Sequence, residues 1–345
     1  PPIADHPRST TIELRSLKLR VLHFKFESAQ FVHADAASRR GLIPALYGMK
    51  ILVTGSSGRI GRAIVTRLMR SHEVIGLDRN PASVSSVIAD LGDEQRLMES
   101  LCGVDAVIHT ASLHAPHVPH VDEARFVDVN IKGTESIIRC CIANSVKNII
   151  YTSTTALFGV AATPLDHAGW VTEDTAPVPQ TIYHTTKIEA ESLLRAASQS
   201  GTLHTTVIRM SRCFPEPAPI MAMYRLHRGI DARDVAVAHE KALLTNDSPF
   251  RVFIVSGNTP FQPEDTFQLK SNAPLIIRQR APELAQAFES RGWNLPATID
   301  RVYSNAKAQK ELDWQPRFGF KSVLQQFDEE SSEVLPPLAS WGVQE

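Results

Sequence analysis

The chain has 345 residues, 43% of them hydrophobic, and its 36 Lys and Arg against 37 Asp and Glu leave a formal net charge of −1. That balance leaves no electrostatic footprint for nucleic acid or an anionic membrane surface, and no apolar run is long enough to span a bilayer. Length and composition suit a globular enzyme with one large core or two modest ones.

Residues 1–48 carry scattered charge and a Pro-Pro start, with no apolar run followed by a small-residue cleavage site. They are expected to be an appendage outside the core fold; an edge strand over 17–26 is the competing reading. Met49 then opens M-K-I-L-V-T-G-S-S-G-R-I-G-R, a short apolar strand running into a glycine-spaced turn and a helix start. Gly55 allows a sharp turn off the strand, Gly58 lets backbone N–H groups approach a pyrophosphate, and Gly61 lets the helix pack close to the sheet. Arg59 and Ile60 lie within the same predicted cofactor loop. The next strand, 73–78, ends in Asp78 about 20 residues after the glycines, where a ribose-binding carboxylate belongs. A 2′-phosphate would meet a like charge there, so NAD is expected over NADP, although Arg79 follows directly and offsets part of the repulsion.

From Met49 onward short β-rich runs alternate with helical stretches. Strands are expected at 50–54, 74–78, 87–89, 106–110, 148–153 and 205–209, and helices at 59–71, 94–101, 124–144 and 185–198. This pattern predicts an α/β fold, a doubly wound parallel sheet of Rossmann type, with ligand at the strands' carboxyl ends. The dinucleotide-binding domain is placed at 49–210, and 211–345 is assigned mainly to a smaller, discontinuous substrate lobe, with 228–256 returning to the sheet. Further helices are expected at 231–244 and 322–330, and a strand at 252–256.

The fifth strand ends in Y-T-S-T-T-A-L-F-G, and Tyr183-His-Thr-Thr-Lys187 heads the next long helix, putting Tyr183 and Lys187 on one helical face. A phenol ordinarily ionises near pH 10, so it needs a neighbouring ammonium and the nicotinamide's charge to act as a base at neutral pH. Thr154 is placed to hold the same substrate oxygen, and Lys187 to reach the nicotinamide ribose.

Together these motifs resemble the extended short-chain dehydrogenases/reductases of the NAD-dependent epimerase/dehydratase type, from Met49 to about Phe327. The resemblance implies that Asp90 and Leu91 flank the adenine, that Thr110, Ala111 and Ser112 line the cofactor, that Asn130 orders the fifth strand and its water, and that Thr154, Tyr183 and Lys187 form the catalytic triad. It also matches K-A-Q-K-E-L-D-W-Q-P to the family's C-terminal helix and the W-x-P after it. Nucleotide-sugar dehydratases carry an Asp-Glu pair where this chain has Thr155 and Ala156, so dehydration is disfavoured. R-M-S-R-C-F-P-E-P is followed almost at once by R-G-I-D-A-R-D-V-A-V-A-H, leaving little chain to enclose a nucleotide. The run partly resembles that of the uronate dehydrogenases, with Ser112, Thr154, Thr155 and Arg212 as substrate contacts. Arg212 is a candidate carboxylate anchor, with a salt bridge to Glu216 or Asp231 as its plainer role.

His114, His117 and His120, in H-A-P-H-V-P-H, are separated by prolines and joined by no carboxylate or thiol, so a mobile active-site loop is expected and no metal site. Cys102, Cys140, Cys141 and Cys213 lack C-x-x-C or zinc spacing, which predicts reduced thiols in a cytoplasmic protein. The expected activity is hydride transfer from a secondary alcohol of a small sugar, sugar acid or polyol to NAD. A nucleotide-sugar 4-epimerase with retained NAD and a catalytically silent NAD(P)-sensing protein are the alternatives. The helices at 124–144 and 185–198 resemble those of a dimeric four-helix contact in relatives, which implies a homodimer.

Overall fold

The computed structural model describes residues 48–245 and 248–337, all within the unit formed by residues 45–345. The expected appendage at 1–48, apart from Gly48, and the alternative edge strand at 17–26 lie outside the described residues. The strands are β1 Lys50–Thr54, β2 Glu73–Asp78, β3 Val87–Ile88, β4 Ala106–His109, β5 Asn148–Thr154, β6 Gly169–Val171, β7 His204–Met210, β8 Phe250–Val255 and β9 Arg301–Tyr303. The α-helices are α1 Arg59–Leu68, α2 Glu94–Ser100, α3 Glu123–Phe126, α4 Gly133–Ala143, α5 Ile182–Gln199, α6 Ala218–Tyr224, α7 Ala232–Leu244, α8 Thr266–Arg280, α9 Pro282–Ser290, α10 Ala306–Glu311 and α11 Phe320–Asp328.

Seven strands form one parallel sheet in the order β3-β2-β1-β4-β5-β7-β8. The fold is therefore the doubly wound α/β architecture that the alternating sequence pattern predicts. The order reverses between β1 and β4, and in such sheets the ligand crevice opens at that switch point, beyond the strands' carboxyl ends. Both faces are covered, which is why the strands read as continuous apolar runs such as Ile51-Leu52-Val53, all fully buried. In α1, Gly61, Ile64, Val65 and Leu68 recur at helical spacing and, with Val235, Ala238 and Ala242 of α7, cover one face. Leu97 of α2, Ile137 and Cys141 of α4, and Ala190 and Leu194 of α5 cover the other.

The expected single helix over 124–144 is interrupted. Residues Val127–Lys132 form a π-helical turn between α3 and α4, a distortion often found at functional sites, and Asn130 sits inside it. Beyond β7, α6, α8, α9 and α11 pack around Met221, Leu269, Ile276, Leu284, Phe288 and Val323 as a second core. β6 and β9, two three-residue strands far apart in sequence, pair as a separate parallel sheet, and their Val171 and Tyr303 pack with Ile254 of β8.

Candidate active site

The turn after β1 is built by its glycines. Gly55 has φ +71°, and a Cβ on it would lie 2.6 Å from Thr110 Oγ1, so only glycine fits. A Cβ on Gly61 would lie 2.1 Å from the Gly55 carbonyl oxygen, which brings α1 hard against the turn. Gly58 caps α1 with extended backbone and no side-chain hydrogen bond, leaving the first-turn amides for an anion. Asp78 faces this turn: its Oδ2 accepts from Ser57 N at 3.0 Å and its Oδ1 from Asn80 N at 2.8 Å. Gly76 was not singled out in the sequence; a Cβ there would lie 1.9 Å from the Val84 carbonyl oxygen, a contact visible only in three dimensions.

The cleft that starts here has a volume of about 930 Å³ and runs along the sheet's carboxyl edge. Gly55, Gly58, Arg59, Ile60, Gly61, Asp78, Arg79, Asp90, Leu91, Thr110, Ala111, Ser112, Thr154, Thr155, Tyr183, Lys187 and Arg212 all line it. Asn130 does not. Its side chain, 1% exposed, accepts from Leu113 N at 2.8 Å and donates to Leu113 O and Thr186 Oγ1, both at 3.0 Å. It pins the segment after β4 to α5, where the sequence reading had it ordering β5.

Tyr183 lies in the first turn of α5, whose start is capped by Thr181 accepting from His184 N. The positive end of the helix favours an anion there. Burial nevertheless pushes the phenol up to about 12, opposed by a hydrogen bond from Thr154 that favours the phenolate. Thr154 is held in turn by accepting from Ala156 N at 3.1 Å. One turn on, Lys187 is 2% exposed; its Nζ donates to Thr152 O at 2.7 Å and sits 4.1 Å from the Tyr151 ring centroid. Burial pulls its ammonium down to about 7, opposed by Glu191. The sequence reading asks for this ammonium together with the nicotinamide's charge to favour the phenolate; burial by itself favours the neutral form of both groups. Glu191, a further turn on, is locked by Ser153 Oγ at 2.6 Å and by Arg209 Nη2 at 2.7 Å.

At the far end of the cleft, Arg212 pairs with Glu216, the plainer of the two roles foreseen, yet still lines the wall. His114 and His117 line the cleft with ring centroids 4.3 Å apart, and among the described residues no cluster is arranged to hold a metal. Ser211, Tyr224, Arg228, Arg301 and Tyr303 complete this end. The sequence reading passed over them as site residues, because they come from three separate segments and carry no spacing signal; the R-G-I-D run containing Arg228 was noted only for its position.

A model described as the NAD dependent epimerase/dehydratase family matches residues 51–222, about half of the chain, spanning the glycine turn, Asp78 and the Tyr183/Lys187 pair. The chain belongs to this family. The epimerase/dehydratase family is one of NAD-dependent enzymes with a Rossmann-like sheet, as found here. Among its relatives, the 2-alkyl-3-oxoalkanoate reductase of Stenotrophomonas maltophilia (strain K279a) is 30% identical over 171 residues, covering 47% of this chain and 50% of the reductase. A short-chain dehydrogenase/reductase superfamily protein from Agrobacterium tumefaciens, solved with bound NAD, superposes with a TM-score of 0.62 at 22% identity, covering 80% of this chain and 95% of that one. The UDP-N-acetylglucosamine 4-epimerase of Bacillus cereus gives a TM-score of 0.61 at 20% identity over 82% and 99% of the two chains. The chain spans about half the length of the curated relatives it matches.

Proposed function

We propose that this protein is an NAD-dependent oxidoreductase acting on a secondary alcohol of a small sugar, sugar acid or polyol. The observation that carries the reading is the meeting of Thr154, Tyr183 and Lys187 in one cleft with an uncapped helix start and a turn-facing carboxylate. These groups fit a dinucleotide. Asp78 would accept from the adenosine ribose, the first-turn amides of α1 would hold the pyrophosphate, and Lys187 would reach the nicotinamide ribose.

When bound, NAD supplies the hydride acceptor and a positive charge beside the phenol. With that charge and the Thr154 hydrogen bond favouring the phenolate, Tyr183 Oη would take the substrate hydroxyl proton as the carbon-bound hydride leaves, so that the alcohol becomes a carbonyl whose oxygen Thr154 holds. Among the described residues only the short α6 separates β7 from α7, which supports a small substrate over a wrapped nucleotide.

The second reading is a nucleotide-sugar 4-epimerase with retained NAD, and it is favoured by the fold shared with a solved UDP-N-acetylglucosamine 4-epimerase. The test is a screen of sugars, sugar acids and polyols for NADH absorbance. Net NADH formation supports the oxidoreductase. Interconversion of a UDP-sugar with no net NADH overturns it in favour of the epimerase. The homodimer and the cytoplasmic location stand as proposals, and among the described residues no helix is long and apolar enough to cross a membrane.

A further inference from the structure

The end of the cleft beyond Tyr183 forms one continuous wall. His114 touches Phe214 with ring centroids 5.7 Å apart, Arg212 lies 5.4 Å from Phe214 and 5.7 Å from Tyr224, and Arg228 stacks 4.3 Å from the Tyr224 centroid. Three guanidiniums line this end, those of Arg212, Arg228 and Arg301, and two carboxylates serve them. Glu216 belongs to Arg212. Asp300 belongs mainly to Arg301, which grips it through Nε at 3.1 Å and Nη2 at 2.7 Å. Arg228 reaches the same carboxylate through a single nitrogen, 3.3 Å from both oxygens.

Arg228 is therefore the surplus cation of the cleft. Its Nη2 donates to Tyr224 Oη at 2.8 Å, which together with the stacked ring fixes the guanidinium plane. Its Nε is buried and has no hydrogen-bond partner among the described residues. Two neighbours on the same wall share that condition: Ser211 Oγ, in a residue 3% exposed, and His114 Nδ1. Buried polar atoms without partners are costly unless a ligand satisfies them. A planar monoanion answers the arrangement, because a stacked guanidinium offers its in-plane N–H edge to a carboxylate. Burial holds His114 at about 4, so it is neutral at pH 7 and adds no second positive charge; with Ser211 it suits hydroxyls of the same molecule. A neutral polyol would leave the surplus charge unpaired, and a nucleotide diphosphate would bring more negative charge than one spare guanidinium answers.

We propose that the substrate is a hydroxy acid whose carboxylate is received by Arg228, an inference that rests on the oxidoreductase reading above and names the substrate class for its site. The carboxylate takes no part in the electron balance; it fixes which hydroxyl faces Tyr183.

The test uses the NAD-saturated full chain with two matched sets, D-galacturonate against its carboxamide and D-galactose, and 3-hydroxybutyrate against its amide. In at least one set the acid should show a kcat/KM about 10- to 100-fold above that of the neutral analogues, the range for a hydrogen bond to a charged group. Arg228→Gln should raise the acid's KM by the same factor and the amide's by far less, with Arg228→Lys in between. Equal turnover of acid and amide, or an equal loss of both in Arg228→Gln, overturns the proposal while the oxidoreductase reading stands. If no compound yields NADH, titration calorimetry of the acids decides: heat with wild type and none with Arg228→Gln keeps the anion site and removes the oxidoreductase reading, and no heat with wild type overturns the proposal. Should Arg228→Gln fail to fold, the wild-type comparison of acid with amide decides alone, a preference for the acid supporting the proposal and equal turnover overturning it.

Discussion

Substituting the second and third glycines of the cofactor turn should separate binding from stability. Gly58 has φ −69° and ψ 163°, a conformation serine adopts readily, and a Cβ there meets only the Gly55 oxygen, at 3.3 Å. In Gly58→Ser the new hydroxyl can accept from the amides of Ile60 or Gly61 and cap α1, so stability should stay within about 0.5 kcal/mol of wild type. The same amides are those offered to the pyrophosphate. Losing charge-assisted hydrogen bonds worth about 1.5–3 kcal/mol should weaken NAD binding roughly 10- to 100-fold. Gly61→Ala behaves oppositely. Its Cβ would sit 2.1 Å from the Gly55 oxygen, more than an ångström inside an ordinary contact, and the obstructing atom is backbone. Overpacking of this kind costs about 1–3 kcal/mol, so unfolding itself should shift. Urea midpoints report stability, and quenching of protein fluorescence on NAD titration reports binding. If Gly58→Ser were destabilised as much as Gly61→Ala, or bound NAD as tightly as wild type, the anion-cradle reasoning would be wrong.

Other outcomes follow from the same structure. Tyr183→Phe should abolish NADH formation while NAD titration still shows binding, since the phenol is assigned to proton transfer; retained turnover would remove it from that role. Burial lowers Lys187 to about 7 from 10.5, so between those values the unfolded chain holds a proton that the folded one does not. Stability of the NAD-free protein should therefore rise with pH across that window, and this contribution should vanish in Lys187→Met when the two pH profiles are subtracted. Glu191→Ala would leave Arg209, 8% exposed, as an uncompensated buried charge; a loss of about 3–5 kcal/mol is expected in urea unfolding.

Local chemistry made much of the fold readable in advance. Glycine spacing, an acid-ended second strand and apolar runs with helical spacing between them sufficed to give the doubly wound parallel sheet, and most of the residues singled out line its crevice, because each signal is short in sequence. What escaped depends on distance. β6 and β9 are three residues each and have no periodicity of their own, Gly76 is required by a carbonyl from a passing loop, and the π-turn at Val127–Lys132 reads as ordinary helix. Asn130 was singled out, but its partners Leu113 and Thr186 lie on segments that only the fold unites. The charge balance of the far wall is likewise unreadable in sequence, because Arg228 meets Asp300, 72 residues on, and Arg301 beside it only in the folded chain.

A crystal structure of the protein grown with NAD would test the central claim most directly. The account predicts the adenosine ribose on Asp78, the pyrophosphate at the start of α1 and the nicotinamide beside the phenol of Tyr183. A dinucleotide lying elsewhere, or a nicotinamide turned away from Tyr183 and Thr154, would contradict it.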